Sequence, residues 1–333
     1  MNQPEMKRIA LTLLLLAGCT HTPQDQNIAL WSQRRAEVPK IQFLGVGGWL
    51  ISWKNEQLLF APFFSNTPLY KLPFNTIPDI DKINESMPAV PQATMMLVGH
   101  GHYDHLLDVI HIATRQARGT TIYGSENVKH ILSAKLPDKR VVNVEPDIGP
   151  KFSMPGKWTI SSGGRFRAMP LRSQHAPHFL GIHLVPEDGY KSDLQRLPRS
   201  AWTWKAGQPI AWLVDLLDEQ KRPLFRIHYQ DSSATPPYGF PPVLMDGKVI
   251  DLEILCAGNW EQVRDYPKKL LQVTQPKMVL IGHWENFFDG DINVPKIIPL
   301  LDLRGLINTV RLAAPQATVI VPAPLSEISL SID

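Results

Sequence analysis

Four side chains that commonly bind metal ions lie within residues 100–105, directly after an apolar segment. Residues 94–98 (TMMLV) form a continuous run of the kind found in buried strands. On an extended or loop segment, His100 and His102 point to the same side and can chelate one ion. Asp104 and His105 turn away as a helix begins and can serve a second ion. Imidazole and carboxylate groups suit zinc, iron or manganese, so the sequence predicts a metal site at a strand end.

The first half of the chain alternates between strand and helix patterns. Strands are predicted over 41–53 (two strands joined at a glycine-rich turn), 58–62, 94–98, 120–123 and 141–144, and helices over 106–117 and 126–136. This order implies a sheet with helices on its outer face. Residues 63–91 are rich in Pro, Asn and Ser and have no clear period. They are predicted to form a long loop, which in a compact domain is often a functional lid.

The second half is richer in strands, and three further potential ligands follow strands there. Strands are predicted over 158–160, 165–169, 182–185, 210–214, 224–229, 251–257, 278–281 and 318–321, and helices over 261–274 and 303–312. His175, Asp231 and His283 each come shortly after one of these strands. Cys256 lies inside an apolar strand and is interpreted as a small core residue.

Residues 100–105 (HGHYDH) match the HxHxDH motif, and in this the chain resembles the metallo-β-lactamase-fold hydrolases. The apolar strand before the motif and the helix after it stand where those enzymes have them. The resemblance extends from about residue 41 to residue 321, and it implies a single hydrolase domain over 40–333. The implied fold class is α/β, an αβ/βα four-layer sandwich of two mixed β-sheets flanked by helices.

The same resemblance implies two divalent metal ions, for which Zn²⁺ is favoured over iron or manganese. The implied ligands are His100, His102 and His175 for the first ion, Asp104, His105 and His283 for the second ion, and Asp231 as a bridge between them. His178 is a rival for the place of His175, which we prefer because it comes sooner after the preceding strand.

The chemistry implied by such a centre is hydrolysis. Two ions about 3.5–4 Å apart lower the pKa of a shared water and supply hydroxide as the nucleophile. Asp104 is expected to accept a hydrogen bond from this hydroxide and orient it, so Asp104 and Asp231 are the predicted catalytic residues. Tyr103, His178 and Trp284 are candidates for the wall of the substrate pocket.

The chain departs from the motif pattern at two places. Many relatives have an Asp-Pro pair in the strand before the motif, which supports the metal loop, but here the pair is Ala61-Pro62. Support for the loop must therefore come from elsewhere. The residue before the first metal position is Gly99, where Ser or Thr is usual.

Tyr103 within the motif and residues 43–45 (FLG) resemble one branch, that of N-acyl-phosphatidylethanolamine phospholipase D and the sugar-phosphate lactonases. This resemblance implies hydrolysis of a phosphodiester, ester or lactone bond in a small molecule or lipid. One alternative is a metal-dependent redox enzyme, although di-iron relatives usually have a carboxylate at the position of His102. The other is a non-catalytic metal-binding lipoprotein, although a structural zinc site is normally closed by four protein ligands.

The N-terminus has the features of a bacterial lipoprotein signal. Lys7 and Arg8 precede an apolar stretch over 9–16, which is short for a membrane-spanning helix. Residues 16–19 (LAGC) resemble a lipobox, which implies a signal peptide over 1–18, a lipidated Cys19 and a tether to residue 39. Since Thr20 stands where an inner-membrane retention signal has Asp, we expect the periplasmic face of the outer membrane. An uncleaved signal anchor is the alternative.

Charge and cysteine content narrow the range of partners. The formal net charge is +3, and no dense stripe of Lys or Arg is present, so nucleic-acid binding is not favoured. The sequence has two cysteines, and lipidation of Cys19 would exclude a disulfide within the chain. No feature of the sequence indicates an oligomeric state.

Overall fold

The computed structural model describes residues 21–177, 187–288 and 290–332, and two seven-stranded sheets dominate it. The first sheet contains β1 (Lys40–Gly45), β2 (Gly48–Trp53), β3 (Glu56–Phe60), β4 (Ala93–Leu97), β5 (Thr121–Gly124), β6 (Val141–Asn143) and β14 (Glu327–Ser329). Their order across the sheet is β14-β1-β2-β3-β4-β5-β6. The neighbours from β14 to β3 pair antiparallel, whereas those from β3 to β6 pair parallel.

The second sheet has the same mixed character. It contains β7 (Thr159–Ile160), β8 (Phe166–Arg172), β9 (Ile210–Leu217), β10 (Pro223–Tyr229), β11 (Leu252–Cys256), β12 (Met278–Gly282) and β13 (Thr318–Ile320). Their order is β13-β12-β11-β10-β9-β8-β7. Pairing is parallel from β10 to β13 and antiparallel from β7 to β10.

Six α-helices lie in the described part of the chain. They are α1 (Ile80–Ser86), α2 (Tyr103–Leu106), α3 (Val109–Arg115), α4 (Glu126–Leu132), α5 (Lys268–Thr274) and α6 (Leu303–Ala313). Helix α4 begins where Ser125 accepts a hydrogen bond from the backbone N–H of Val128, as an N-cap residue does. Among these helices, none is long and apolar enough to cross a membrane.

The alternation of side chains along the strands builds the layers. Phe43 and Ile51 of the first sheet share a buried apolar cluster with Val214 and Ile227 of the second, so the sheets pack face to face. Leu271 of α5 belongs to the same cluster. The residues between these on each strand point to the outer face of the sheet, because successive side chains of a strand point to opposite faces.

Helices cover the outer face of the first sheet. Leu50 and Leu59 belong to a second apolar cluster, together with Ile112 of α3 and Val128 of α4. The result is two mixed sheets flanked by helices, which confirms the predicted fold class.

Several elements differ from the sequence prediction. The predicted loop over 63–91 contains α1, which Asp79 caps by accepting a hydrogen bond from the backbone of Lys82. The helix predicted over 106–117 is two short helices, α2 and α3. The helix predicted over 261–274 begins only at Lys268, because Pro267 lacks the N–H that a helix interior requires. Strand β14 was not predicted, and the strand predicted over 182–185 lies outside the described residues.

The N-terminal predictions fall only partly on described residues. The signal peptide over 1–18 and the lipidated Cys19 lie outside them. The described part of the predicted tether, 21–39, contacts the domain. The backbone of Trp31 donates to the carbonyl of Val321 at 2.9 Å, and its indole N–H donates to that of Glu327 at 2.8 Å.

Candidate metal centre

The potential ligands come from the ends of four strands that meet at one edge of the sandwich. The segment 100–105 follows β4, and its histidines are buried. His175 follows β8, Asp231 follows β10 and His283 follows β12 directly. The structure therefore brings all seven predicted ligands together, although they are far apart in the sequence.

One group consists of His100, His102 and His175, and their ligand atoms all lie within 4.8 Å of one another. Nε2 of His100 is 3.1 Å from Nδ1 of His102. The His175 ring centroid lies 4.7 Å from that of His100 and 4.5 Å from that of His102. These are the three residues that the resemblance to the metallo-β-lactamase-fold hydrolases assigns to the first ion. The rival residue His178 lies outside the described part of the chain.

A second group consists of Asp104, His105 and His283, also with ligand atoms within 4.8 Å of one another. Oδ2 of Asp104 is 3.4 Å from Nε2 of His105 and 3.4 Å from Nε2 of His283. All three residues are buried. His105 is adjacent to both groups, since its ring centroid is 4.2 Å from that of His100.

The spacing of these atoms fits metal ligation. Nitrogen and oxygen ligands that bind one zinc ion at about 2.0–2.1 Å lie about 3.0–3.5 Å from each other. The contacts of 3.1 and 3.4 Å within the two groups fall in that range. The donors are imidazole and carboxylate groups, which suit zinc, iron and manganese alike. The residues present therefore fit two divalent ions side by side.

Asp231 contacts one histidine of each group. Its Oδ2 is 2.5 Å from Nδ1 of His100, and its Oδ1 is 3.1 Å from Nδ1 of His105. These nitrogens are on the opposite side of each ring from the Nε2 atoms that face the other ligands. Tyr229 donates its hydroxyl to the same carboxylate. This geometry supports an orienting role for Asp231, while its role as a bridging ligand stays a prediction.

The electrostatics of the centre keep both carboxylates ionised. Burial alone would raise the pKa of Asp104, but His105 and His283 hold it well below its usual range. The pKa of Asp231 is likewise lowered against burial, by the charges and hydrogen bonds of His105 and His100. Burial opposes the charged form of His105, yet Asp231 and Asp104 raise its pKa to about 10.

Two glycines allow the close packing of this centre. A Cβ atom on Gly99 would lie 2.0 Å from Oδ2 of Asp231, which explains why Ser or Thr is absent there. A Cβ atom on Gly47 would lie 2.7 Å from Nδ1 of His105. Neither contact can be relieved by moving the far end of a flexible side chain, because both neighbours are fixed within the centre.

Asp108 supports the loop that follows β3, and the sequence analysis missed it. Its carboxylate accepts hydrogen bonds from the backbone N–H of Phe64 at 2.6 Å and of Ser65 at 2.9 Å, and from the Ser65 hydroxyl. Burial raises the pKa of Asp108 to about 6. It lies between α2 and α3, close to the motif, and ties the motif to the loop after Ala61-Pro62. This is where the support expected from an Asp-Pro pair is found.

We expect Asp108→Ala to destabilise the protein by about 2–4 kcal/mol, because two buried N–H groups and a hydroxyl lose their acceptor. Asp108→Asn keeps one acceptor oxygen and is expected to lose less. Urea unfolding monitored by tryptophan fluorescence measures both effects. Equal stability of the alanine variant and the wild type would show that the 64–65 loop is held in another way.

The three predicted pocket residues have different environments. The ring of Tyr103 lies 5.9 Å from Phe63 and 6.5 Å from Phe287, and Phe287 lies 5.1 Å from His283. These rings form an aromatic wall beside the second group. Trp284 does not line a pocket, contrary to the prediction: it is fully buried in the core, and its indole N–H donates to the carbonyl of Pro322. His178, as noted, lies outside the described residues.

The fold and part of the sequence are similar to those of known proteins. Residues 72–220 match the family model described as the beta-lactamase superfamily domain. Igni18, a metallo hydrolase from the archaeon Ignicoccus hospitalis, has 11% sequence identity, with 88% of this chain and 99% of that chain covered and a TM-score of 0.51. A search of the curated proteins found no match.

A second similar structure is a mutant of the CmlA beta-hydroxylase, the diiron enzyme of Streptomyces venezuelae. It has 12% identity, with 89% of this chain and 55% of that chain covered and a TM-score of 0.51. At such low identity, both likenesses show the fold alone. The chain thus has the metallo-β-lactamase fold, and its residues 72–220 are similar to the beta-lactamase superfamily domain.

Proposed function

We propose that this protein is a metal-dependent hydrolase with a centre for two divalent ions, most suitably Zn²⁺. The observation that carries the proposal is the pair of adjacent three-ligand groups, which share one buried loop and meet at His105. Two ions bound there would supply a water of lowered pKa as the nucleophile and positive charge to stabilise the transition state. A structural zinc site is normally closed by four protein ligands, whereas each of these two groups has three members among the residues that the structure describes.

The residues of the chain have separate tasks in this mechanism. Asp104 is held ionised at neutral pH, so it can accept a hydrogen bond from the attacking water and orient it. Asp231 fixes the ring orientation of His100 and His105 through their Nδ1 atoms. Phe63, Tyr103 and Phe287 form an apolar wall, which favours a substrate with an apolar part.

For the substrate, we propose a phosphodiester, ester or lactone bond in a small molecule or lipid. The motif residues around Tyr103 and the aromatic wall support it. We further propose that lipidation of Cys19 holds the enzyme on the periplasmic face of the outer membrane of a bacterial cell envelope. The LAGC sequence supports this localisation, and a lipid anchor would keep the site near lipid substrates. The low net charge gives no support for a nucleic-acid substrate.

The test uses the full-length protein in detergent. Metal content is measured by mass spectrometry after loading with zinc, iron or manganese, in parallel with hydrolysis of bis(p-nitrophenyl) phosphate and p-nitrophenyl acetate. We expect about two ions per chain and turnover of at least one substrate that depends on them. A protein that binds no metal after loading, or that binds two ions and hydrolyses neither substrate, would contradict the proposed function.

The pH dependence of metal binding gives a separate prediction. His105 must lose its proton to bind an ion, and its pKa in the metal-free protein is raised to about 10. Below that pH, the apparent affinity for the second ion should therefore rise with pH, by up to about tenfold per unit. The raised pKa also stabilises the metal-free fold fully below pH 6.5, and this contribution is lost as the pH rises through about 10.

Calorimetric titration with zinc at pH 7, in buffers of different ionisation enthalpy, measures the protons released on binding. We expect about one proton to leave with the second ion. Heat of binding that is independent of the buffer would mean that His105 is already neutral in the metal-free protein.

A further inference from the structure

The turn between β1 and β2 is held against the end of β12 by two unusual backbone positions. Val46 has φ 51° and His283 has φ 55°, both in the left-handed region. For a β-branched residue such as Val46, this conformation is a genuine outlier, so surrounding contacts must hold it. The N–H of His283 donates to the carbonyl of Val46 at 3.0 Å. One strained residue of the first sheet thus fixes the backbone of a potential ligand on the second.

Glu285 holds the other side of Val46. Its buried carboxylate accepts a hydrogen bond from the N–H of Val46, at the point where the turn passes between the sheets. Val46 is therefore bound through its N–H to residue 285 and through its carbonyl to residue 283. A Cβ atom on Gly45 would lie 3.2 Å from Oε1 of this carboxylate, closer than an ordinary contact, so the turn also packs tightly against Glu285.

The same turn also contacts Tyr229 and His105. The carbonyl oxygen of Gly47 lies 2.9 Å from the hydroxyl oxygen of Tyr229. Gly47 also packs directly against the ring of His105. A shift of the turn would therefore displace two ligands. The ring of His105 packs against Gly47, and the backbone of His283 is hydrogen-bonded to Val46.

The backbone of the first group is held by other contacts. The carbonyl of Gly99, next to His100, accepts a hydrogen bond from the N–H of Ile210 at 2.8 Å. The N–H of Gly101, between His100 and His102, donates to the carbonyl of Ala206 at 2.9 Å. These bonds tie the first group to the start of β9 and the segment before it.

We propose that Glu285 is a positioning residue, which fixes the β1–β2 turn and through it the ligands of the second ion but not those of the first. This inference rests on the proposed two-ion centre, and it assigns to Glu285 the placement of the ligands that would bind the second ion. Glu285 acts through the length of its side chain, which spans from the segment after β12 to the N–H of Val46. Its negative charge alone does not perform this function.

Two conservative variants separate reach from charge. Glu285→Gln keeps the length of the side chain and an acceptor oxygen but removes the charge. Glu285→Asp keeps the charge but is shorter by one methylene, so its carboxylate falls short of Val46. The matched control is Glu327→Ala, because Glu327 is also a buried carboxylate that accepts a backbone N–H, that of Ala36 at 2.9 Å. Zinc affinities for both ions are measured on the full-length protein by competition with a chromogenic chelator.

We expect Glu285→Asp to lower the affinity for the second ion by about 10- to 100-fold, which is the usual effect of losing a contact that supports a metal ligand. The first ion should bind as in the wild type, and Glu285→Gln and Glu327→Ala should retain both ions. Any other pattern overturns the inference, in particular a loss in Glu285→Gln with retention in Glu285→Asp, or an equal loss of both ions. A wild-type protein that binds fewer than two ions would instead contradict the proposed function, so the two failures are distinguishable.

Discussion

The His102→Ala variant is expected to lose the first metal ion and to hydrolyse its substrate at least about 10³-fold more slowly than the wild type. His102 is one of the three members of the first group in the described part of the chain, and its ring is in contact with those of both other members. Without this ligand, His100 and His175 would hold the first ion less tightly, and the centre would lose the activation of water and the positive charge that this ion would supply to the transition state.

The measurement is metal content by mass spectrometry together with turnover of bis(p-nitrophenyl) phosphate. His111→Ala is the matched control, because His111 lies on nearby α3 and only its contact with Asn84 at 3.1 Å is lost. The control should keep both ions and full activity. Two bound ions and wild-type turnover in His102→Ala would remove this residue from the centre and leave the first position without a chelating pair.

The layers of the fold could be predicted because periodicity is a local signal. The alternation over 41–53 gave two strands, and the apolar run over 94–98 gave the strand that leads into the metal motif. The start of α5 was misjudged because the helical pattern runs through Pro267, where the backbone cannot continue a helix. Helix α1 was missed because its seven residues bury only Ile83, which leaves too weak a periodic signal.

The candidate centre was predictable only in part. Its members could be found from residue type and position after a strand, because metal ligands belong to few residue types. Asp108 and Glu285 could not be found in this way, because neither is a predicted metal ligand. Each acts through backbone N–H groups of a distant segment, and the sequence does not show which N–H groups the fold leaves without a partner. Tyr229 was missed for the same reason, since a tyrosine at the end of a strand is usually a core residue.

The structure also shows why the two halves of the fold depend on each other at this edge. The first group combines the loop after β4 in one sheet with His175 after β8 in the other. The second group likewise combines the motif with His283 after β12. Neither sheet alone supplies all three members of either group. The bonds that lock the sheets together at the edge therefore also set the distances between ligands.

Asp231→Asn is expected to lower the affinity for both ions, each by about 10- to 100-fold, because the carboxylate of Asp231 contacts one histidine from each group. The ionised carboxylate faces His100, His105 and the hydroxyl of Tyr229. An amide offers one acceptor oxygen and turns its NH₂ towards groups that are themselves donors. At least one imidazole should then rotate away from the position in which its Nε2 faces the other ligands.

The matched control for Asp231→Asn is Asp251→Asn, because Asp251 is also a buried aspartate next to the second sheet and accepts the backbone N–H of Arg226 at 2.8 Å. It should keep both ions. Tyr229→Phe removes one donor to Asp231 and leaves both imidazole contacts, so an orienting role predicts a loss of metal affinity smaller than that of Asp231→Asn. If Asp231→Asn lost only one ion, the carboxylate would serve one group alone. The coupling of both ions through a single side chain would then be wrong.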